Sequence, residues 1–461
     1  VVGLDDNAVG LGFRPALAGD LLQTPIAVDF VEVVAEACLV SAAAEREARA
    51  LADVWPVVPH GVKLSLGSAD GVDDDKARRL GALARSLRAP VVSEHAAFTT
   101  AAGVEIGHLT QLPRTRAAIA ALRNNVDRVR RHFSMPLLLE NVAWTWRWPD
   151  DEMSEADFYA EVVAATGCDL LLDLGNLRAN ALNEGRDPLA VLDAFPLERV
   201  AMVHIAGGVV VDDFFYDNHA APVPDGVFAL LARLVATVGP RPVLLERDGA
   251  FPPFAELRSE LDRARATLAT GATPHPPRSA PHHTPAAIDP TPTTTTSALA
   301  AAQATLARRL TAPALDATDV PPAERPALER ARAVLARKRV DDALPLLAHL
   351  ARRGETIAAL ATTALEQAPR PARRVAPADA VRIAKAALAA GCFVDDARRD
   401  LLHLRARFRG VEDDDRGPVT LVPRVAPFVG GERLDDGRRC VVLKGPGHGA
   451  ALHHLERQPT P

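Results

Sequence analysis

Short apolar runs recur along the first 270 residues at roughly thirty-residue intervals, the length of one strand-plus-helix unit. They are GLGFR (10–14), DFVEVVAE (29–36), HGVKLSLG (60–67), PVVSEHAAF (90–98), PLLLENVA (136–143), DLLLDLGN (169–176), VAMVHIAG (200–207) and RPVLLERD (241–248). The runs are rich in Val, Leu and Ile and mostly non-alternating, as strands buried on both faces should be. Between them the apolar positions take a helical period, over Ala43–Val54, Asp75–Leu87, Arg114–Arg131, Glu155–Thr166 and Gly226–Val238. Alternating strand and helix predicts a parallel sheet, and eight such units predict an α/β fold of the closed (β/α)8 TIM-barrel type. An open doubly wound sheet fits less well, because no glycine-rich phosphate turn follows the first strand.

The pattern breaks at 272–297, ATPHPPRSAPHHTPAAIDPTPTTTTS, which is rich in Pro and Thr and nearly free of apolar bulk. Such a stretch buries too little surface to offset its ordering entropy and reads as an extended linker. Beyond it, amphipathic helices are expected over Ser297–Leu310, Pro322–Lys338, Asp341–Arg353, Thr356–Gln367 and Pro377–Ala390. The segments 418–429 and 438–445 read as a terminal β-hairpin. GPGHG at 445–449 is a loop without the Lys-Ser/Thr of a phosphate loop. The expected organisation is a barrel over 1–271, a linker over 272–297 and a small, mainly helical accessory domain over 298–461.

Composition agrees with a buried core: of 461 residues, 48% are hydrophobic and 24% charged, which excludes collagen-like, coiled-coil and wholly disordered classes. Cys38, Cys168, Cys392 and Cys440 are too few and scattered for a disulfide scaffold, so a reducing cytoplasm is the expected setting. No apolar run reaches the roughly 18 residues of a membrane span, and Val1–Asp20 lacks the pattern of a signal peptide. The net charge of −6 is uneven: residues 1–270 hold 38 acidic and 25 basic side chains (−13), leaving 59 − 38 = 21 acidic and 53 − 25 = 28 basic ones (+7). An acidic barrel repels polyphosphate and argues against nucleic acid. The basic remainder suits an acidic peptide or partner, although Arg is common throughout and Lys occurs only five times.

The chemistry lies in the polar residues that accompany the apolar runs. His60, His95, Glu140, Asp173, Asn176, His204 and Glu246 sit in or beside the third to eighth runs, and Asp217 and His219 follow the seventh. The C-terminal strand ends of a barrel converge on one face, so these nine groups would share a pocket. Buried together without a counter-ion, the carboxylates would repel one another or bind protons, and divalent cations relieve this. Four imidazoles, four carboxylates and one amide, with no thiolate, suit iron, manganese or zinc better than magnesium or calcium. Nine groups exceed the needs of one ion, so two or three ions are expected, with a carboxylate such as Glu140 bridging. Singly, His60 or His204 would read as a hydrogen-bonded core histidine, and Asp173 or Glu246 as a barrel ion-pair residue; their coincidence over six successive strands favours metal. Cys38 and Cys168 read as inert buried thiols, and the pairs His282–His283 and His453–His454 as solvated. Trp144, Trp146 and Trp148 fit a lid or a packed loop equally well.

Residues 10–262 resemble the multinuclear non-heme iron-dependent oxidative enzymes, a family that includes the methanobactin biosynthetic oxidase. The stretches that carry the resemblance are GLGFR (10–14), FVEVVAE (30–36), HGVKLSLG (60–67), SEHAAF (93–98), LLENVAW (138–144), MSEADF (153–158), TGCDLLLDLGN (166–176), HIAG (204–207), DNH (217–219) and LLERD (244–248). The resemblance implies a TIM barrel, two or three iron ions of mixed Fe2+/Fe3+ state, O2 as co-substrate, and modification of cysteine residues in a ribosomal precursor peptide. It places iron ligation on the same nine residues. Arg14, Glu36, Ser65, Asn141 and Asp248 flank them and would orient ligands or peptide. Gly175 and Ala37 depart from the family pattern, which often has Asn or His at the first and Asn at the second. Family members often act with a separate precursor-recognition protein, and the basic C-terminal region would fill that role in cis or serve as a scaffold. Neither nucleic acid nor membrane is an expected partner. Two rivals remain: a Zn- or Mn-dependent hydrolase or isomerase, xylose-isomerase-like or endonuclease-IV-like, and a non-catalytic partner protein.

Overall fold

A computed structural model of the chain describes residues 3–271, 293–315, 320–366, 368, 370, 375–411, 421–447 and 451–457. They fall into two compact units, Val1–Gly103 with Gly107–Ala304, and Val104–Ile106 with Thr305–Pro461. Most of the expected linker, 272–292, lies outside the described residues, as do His282 and His283. A helix, Thr293–Thr311, takes up the end of that stretch.

The first unit is a closed barrel of eight parallel strands: β1 (Val9–Gly12), β2 (Phe30–Val34), β3 (Val57–Gly61), β4 (Val92–His95), β5 (Leu137–Glu140), β6 (Asp169–Asp173), β7 (Val200–Ile205) and β8 (Val243–Leu245). Each strand pairs with the next in sequence, and β8 closes on β1 through Val9 opposite Val243. The third strand lies earlier than its sequence run: it ends at Gly61, and the rest of HGVKLSLG is loop. Pro59 interrupts the apolar run there, yet it is accommodated opposite Val33.

Side chains two apart on a strand share a face, and this periodicity stacks the barrel interior in layers. The lower layer is apolar: Phe30, Val58, Leu138, Leu171, Met202 and Leu244 form one buried cluster. Two residues further along the same strands stand Glu32, His60, Glu140, Asp173, His204 and Glu246, all buried. A hydrophobic plug therefore floors a polar site. Gly10 makes room for the plug, since a Cβ there would lie 2.7 Å from the Phe30 ring. Each fully buried Leu or Phe of this layer contributes about 1.5–3 kcal/mol, which helps offset the cost of burying the polar layer above it.

The helices between strands follow the predicted periods closely, and Asp73, Thr115, Ser154 and Asp173 cap helix N-termini through their side chains. Two antiparallel ribbons were not anticipated. One, Ala97–Ala101 with Val104–Gln111, follows β4; the other, Gly207–Val211 with Phe214–Ala221, follows β7. Their turns use positive φ at Ala102, Gly103, Asp212 and Asp213.

The second unit is mainly helical. Helices Arg325–Ala343, Glu355–Glu366, Val375–Ala389 and Val394–Arg407 pack around a core that includes Leu350, Ile357, Leu365, Val381 and Leu401. The helix expected over Asp341–Arg353 is two short 3-10 turns, Leu344–Leu346 and Leu350–Arg353, because Pro345 has no N–H to continue the preceding helix. Helix Val394–Arg407 was not expected. A buried, bidentate pair between Arg339 and Asp379 at 2.8 Å joins the first and third of these helices. The terminal hairpin is the core of a three-stranded antiparallel sheet: β9 (Phe428–Arg433), β10 (Arg439–Lys444) and β11 (Leu452–Arg457). Strand β9 starts later than the 418–429 segment, part of which is outside the described residues. His454 is not solvated as expected: its Nδ1 lies 3.0 Å from His403 Nε2. Among the described residues no helix is long and apolar enough to cross a membrane.

Candidate metal centre

The C-terminal ends of β3 to β8 bring the expected residues together. His95 and Glu140 are register partners at the ends of β4 and β5, and Asp173 and His204 are partners on β6 and β7. Glu140 stands at the middle. Its Oε2 lies 3.5 Å from His60 Nε2 and 3.4 Å from His95 Nε2, while its Oε1 lies 3.3 Å from His204 Nδ1. His204 Nδ1 is also 3.3 Å from Glu246 Oε2, which is 3.2 Å from His219 Nδ1. His219 in turn contacts Asp217 through Nε2. The ribbon after β7 carries these last two residues, and His219 holds a positive φ of 51°.

Three sets of donor atoms result, each closely spaced: His60, His95 and Glu140; Glu140, Asp173, His204 and Glu246; and His219, Glu246 and Asp248. Glu140 belongs to the first two and Glu246 to the last two. Asn176 joins the edge of the site. Its backbone N–H donates to Asp173 Oδ1 and its side-chain amide donates to the Asn141 carbonyl, leaving its Oδ1 as an acceptor. A Cβ on Gly175 would sit 3.1 Å from Asp173 Oδ1 and 3.2 Å from Asp217 Oδ1, so the missing side chain keeps the space between these carboxylates clear.

The flanking residues divide. Arg14 reaches Glu246 at 3.2 Å and also bonds Asp248, which lies 3.6 Å from His219 Nδ1. Asn141 clasps the end of β6, accepting from the Asp173 N–H and donating to its carbonyl. Glu36 accepts the Val62 N–H with both oxygens. Ser65 spends its hydroxyl on the backbone N–H groups of Thr99 and Thr100, which fixes the ribbon after β4.

Two buried carboxylates were missed. Glu32 lies 3.2 Å from His204 Nε2, and Glu94 lies 3.6 Å from His95 Nδ1 while accepting the Leu64 N–H. Glu32 occupies an inward position of β2, and the two-residue period from Phe30 is the signal that would have found it. His60 Nδ1 meets Ser93 Oγ at 2.8 Å. Each of these three imidazoles thus has one nitrogen held by a neighbour and the other facing Glu140, the arrangement by which outer partners orient metal-binding histidines.

Charge in the centre is unbalanced without a cation. Burial disfavours the ionised form of Glu140, but His95, His204 and His60 outweigh it and hold the carboxyl at about 2. Burial, then the charge of Asp217, pushes Asp173 up to about 8. Burial works against protonating His95, yet Glu140 and Glu94 raise it to about 9. Five buried atoms in the cluster make no hydrogen bond: Glu140 Oε2, Asp173 Oδ2, His204 Nδ1, Asp217 Oδ1 and His219 Nε2. Orphaned polar atoms of this kind are rare in folded proteins. Lone pairs aimed at one another without hydrogen-bond geometry fit a set of metal donors, and imidazole with carboxylate fits a first-row transition ion. Cys38 and Cys168 are apart from it, their thiols pushed by burial to about 11.

Residues 8–269 match the family described as RiPP precursor modification enzyme MbnB/TglH/ChrH. The chain belongs to this family. The UPF0276 protein of Streptomyces avermitilis is 41% identical to it over 271 residues, 57% of this chain and 55% of that protein. The chain thus spans about half the length of that relative. The UPF0276 protein of Caulobacter vibrioides is 39% identical over 268 residues, 58% of this chain and 95% of its own. Among solved structures, endonuclease IV from Thermus thermophilus aligns with a TM-score of 0.38 and 19% identity, covering 57% of this chain and 99% of that one. The span matched to the RiPP precursor modification enzymes contains every side chain of the barrel centre.

Beside the centre, the loop after β5 borders a small cleft of about 30 Å³ lined by Trp144, Trp148, Phe158, Tyr159, Arg114 and Glu155. Trp146 and Trp148 are buried edge-to-face at 4.7 Å, and Trp148 Nε1 donates to the Gln111 carbonyl, so this part is a packed loop.

Proposed function

We propose that the chain is a multinuclear iron, O2-dependent oxidase that modifies cysteine residues of a ribosomally synthesised precursor peptide. The observation that carries this reading is the linkage of three donor sets through the shared carboxylates of Glu140 and Glu246. His60 and His95 would hold one ion with Glu140. Asp173, Asn176 and His204 would hold a second between Glu140 and Glu246, and Asp217 and His219 a third beside Glu246. When bound, iron supplies thiolate affinity, as zinc does, together with one-electron redox chemistry and affinity for dioxygen, which zinc cannot offer.

The chain's own groups set the terms of that chemistry. Glu32 fixes the orientation of His204, Ser93 that of His60, and Glu94 with the Gly61 carbonyl that of His95. Arg14 offsets the negative charge of Glu246 and Asp248 at the rim. The apolar layer below excludes water from the floor of the site. The second unit is proposed as the accessory domain that recognises precursor or partner. Family membership supports a peptide substrate.

Elemental analysis of anaerobically purified protein, followed by mass spectrometry of a co-expressed cysteine-containing precursor with and without O2, tests the reading. Two or three irons per chain and an O2-dependent mass change are expected. A zinc- or manganese-replete protein that is active without O2 would replace it with the hydrolase or isomerase reading.

A further inference from the structure

A second group of metal-capable side chains lies in the other unit. His349, Asp400 and His403 form one closely spaced set, and Cys440, His454 and Glu456 another. Contact between His403 and His454 joins them. Three segments distant in sequence supply these residues: the turn before Leu350–Arg353, helix Val394–Arg407 and strands β10 and β11. We infer that this unit binds a single first-row divalent cation of the zinc class, with His349, His403 and His454 as its ligands.

The geometry is that of imidazoles arranged around an ion. Around a tetrahedral zinc with Zn–N bonds near 2.05 Å, neighbouring ligand nitrogens stand about 3.3 Å apart and imidazole centroids about 5.2 Å apart. Here His403 Nε2 and His454 Nδ1 are 3.0 Å apart. The three ring centroids are separated by 5.1, 5.4 and 5.6 Å. The rings stand at 45–89° to one another, so they do not stack, and His403 and His454 meet by their nitrogen edges.

Outer partners are in place as well. Asp400 is fully buried, and its carboxylate accepts His349 Nδ1–H at 2.8 Å together with the backbone N–H groups of His349 and Leu350. That bond fixes the tautomer of His349 and leaves the Nε2 lone pair for an ion, as in carboxylate–histidine–metal triads. His454 Nε2 lies 3.3 Å from both Cys440 Sγ and Glu456 Oε1, which hold its outer edge and leave Nδ1 facing His403. Asp400 and His403 are three apart on one helix and so share a face. His454 and Glu456 share the face of β11 that pairs with Cys440 and Val442. With three neutral ligands and an open fourth position, the ion would clip turn, helix and sheet together.

The test uses the full chain, stripped with a chelator, dialysed against zinc chloride alone and counted by elemental analysis. Wild-type protein should retain one more zinc per chain than His454→Gln or His349→Gln, and zinc should raise the unfolding temperature of the second unit in wild type but not in these variants. Glu140→Gln should leave that difference intact, which separates this ion from those of the barrel. Equal zinc counts in wild type and folded variants would overturn the inference and leave a hydrogen-bonded histidine cluster. Should the variants fail to fold, zinc-edge anomalous scattering from wild-type crystals decides: a peak among the three rings supports the site, and its absence at saturating zinc refutes it.

Discussion

Replacing Glu155 by glutamine removes one titrating carboxyl from the wall of the barrel while keeping its shape and its bond to Asn180. Glu155 opens the helix Glu155–Thr166 and is buried; its Oε1 accepts Asn180 Nδ2 at 2.9 Å. Asn180 also donates to the Val142 carbonyl and accepts the Trp144 N–H, so the pair anchors the loop that follows Glu140. Burial, partly opposed by the Asn180 bond and Arg114, raises the carboxyl from 4.5 to about 7. At about 1.4 kcal/mol per pH unit this is on the order of 3 kcal/mol of linkage. The folded-state value is raised, so the contribution is fully present below about pH 4.5 and is lost as pH rises through about 7. Denaturant unfolding of the barrel should therefore show Glu155→Gln gaining on wild type between pH 5 and pH 8.5, by up to roughly 3 kcal/mol. A difference between the two proteins that is the same at both pH values would refute the argument that burial keeps this group protonated.

Four further outcomes follow from contacts described above. Glu140→Gln should lose at least one iron per chain by elemental analysis, with precursor modification falling in parallel, because one carboxylate serves two donor sets. Glu32→Gln should weaken metal affinity about 10–100-fold in a chelator competition while leaving the fold intact by circular dichroism, the usual cost of removing an outer partner. Arg339→Ala should destabilise the second unit by about 3–5 kcal/mol in thermal or denaturant unfolding, because it strands the buried Asp379 carboxylate. In native protein, a thiol reagent at pH 8 should modify the half-buried Cys392 well before Cys38 or Cys168, as peptide mapping would show.

The barrel was legible because strands buried on both faces leave uninterrupted apolar runs, and eight of these stand out from amphipathic helices. The cluster at the strand ends was legible because a His or carboxylate buried beside Val and Leu needs a partner. Glu32 and Glu94 were hidden because inside an apolar run they look like solvent-facing alternation: Glu32 is two residues from Phe30 on the interior face, whereas Glu94 is in register with Leu139 on the opposite face, buried against the loop after β3. The two ribbons were hidden because their turns rest on Ala102, Asp212 and Asp213 at positive φ, without the Asn-Gly or Asp-Gly pair that marks a hairpin. In the tail, adjacent histidines looked alike. Strand alternation treats them differently, so His453 and His454 point to opposite faces of β11 and only the second meets His403.

The order in which the barrel is made has a consequence for its assembly in the cell. Arg14, near the start, ends up against Glu246 and Asp248, near the close, and the shared carboxylates come from the fifth and eighth strands. At translation rates of about 5–20 residues per second, roughly 10–40 s separate the emergence of His60 from that of Glu246. During that interval His60, His95 and Glu140 are already made while Asp217, His219 and Glu246 are not, so the proposed donor sets are completed one after another. The 215 residues after Glu246 remain to be made at that point, so the last strand docks and completes the proposed centre while the second unit is still being translated.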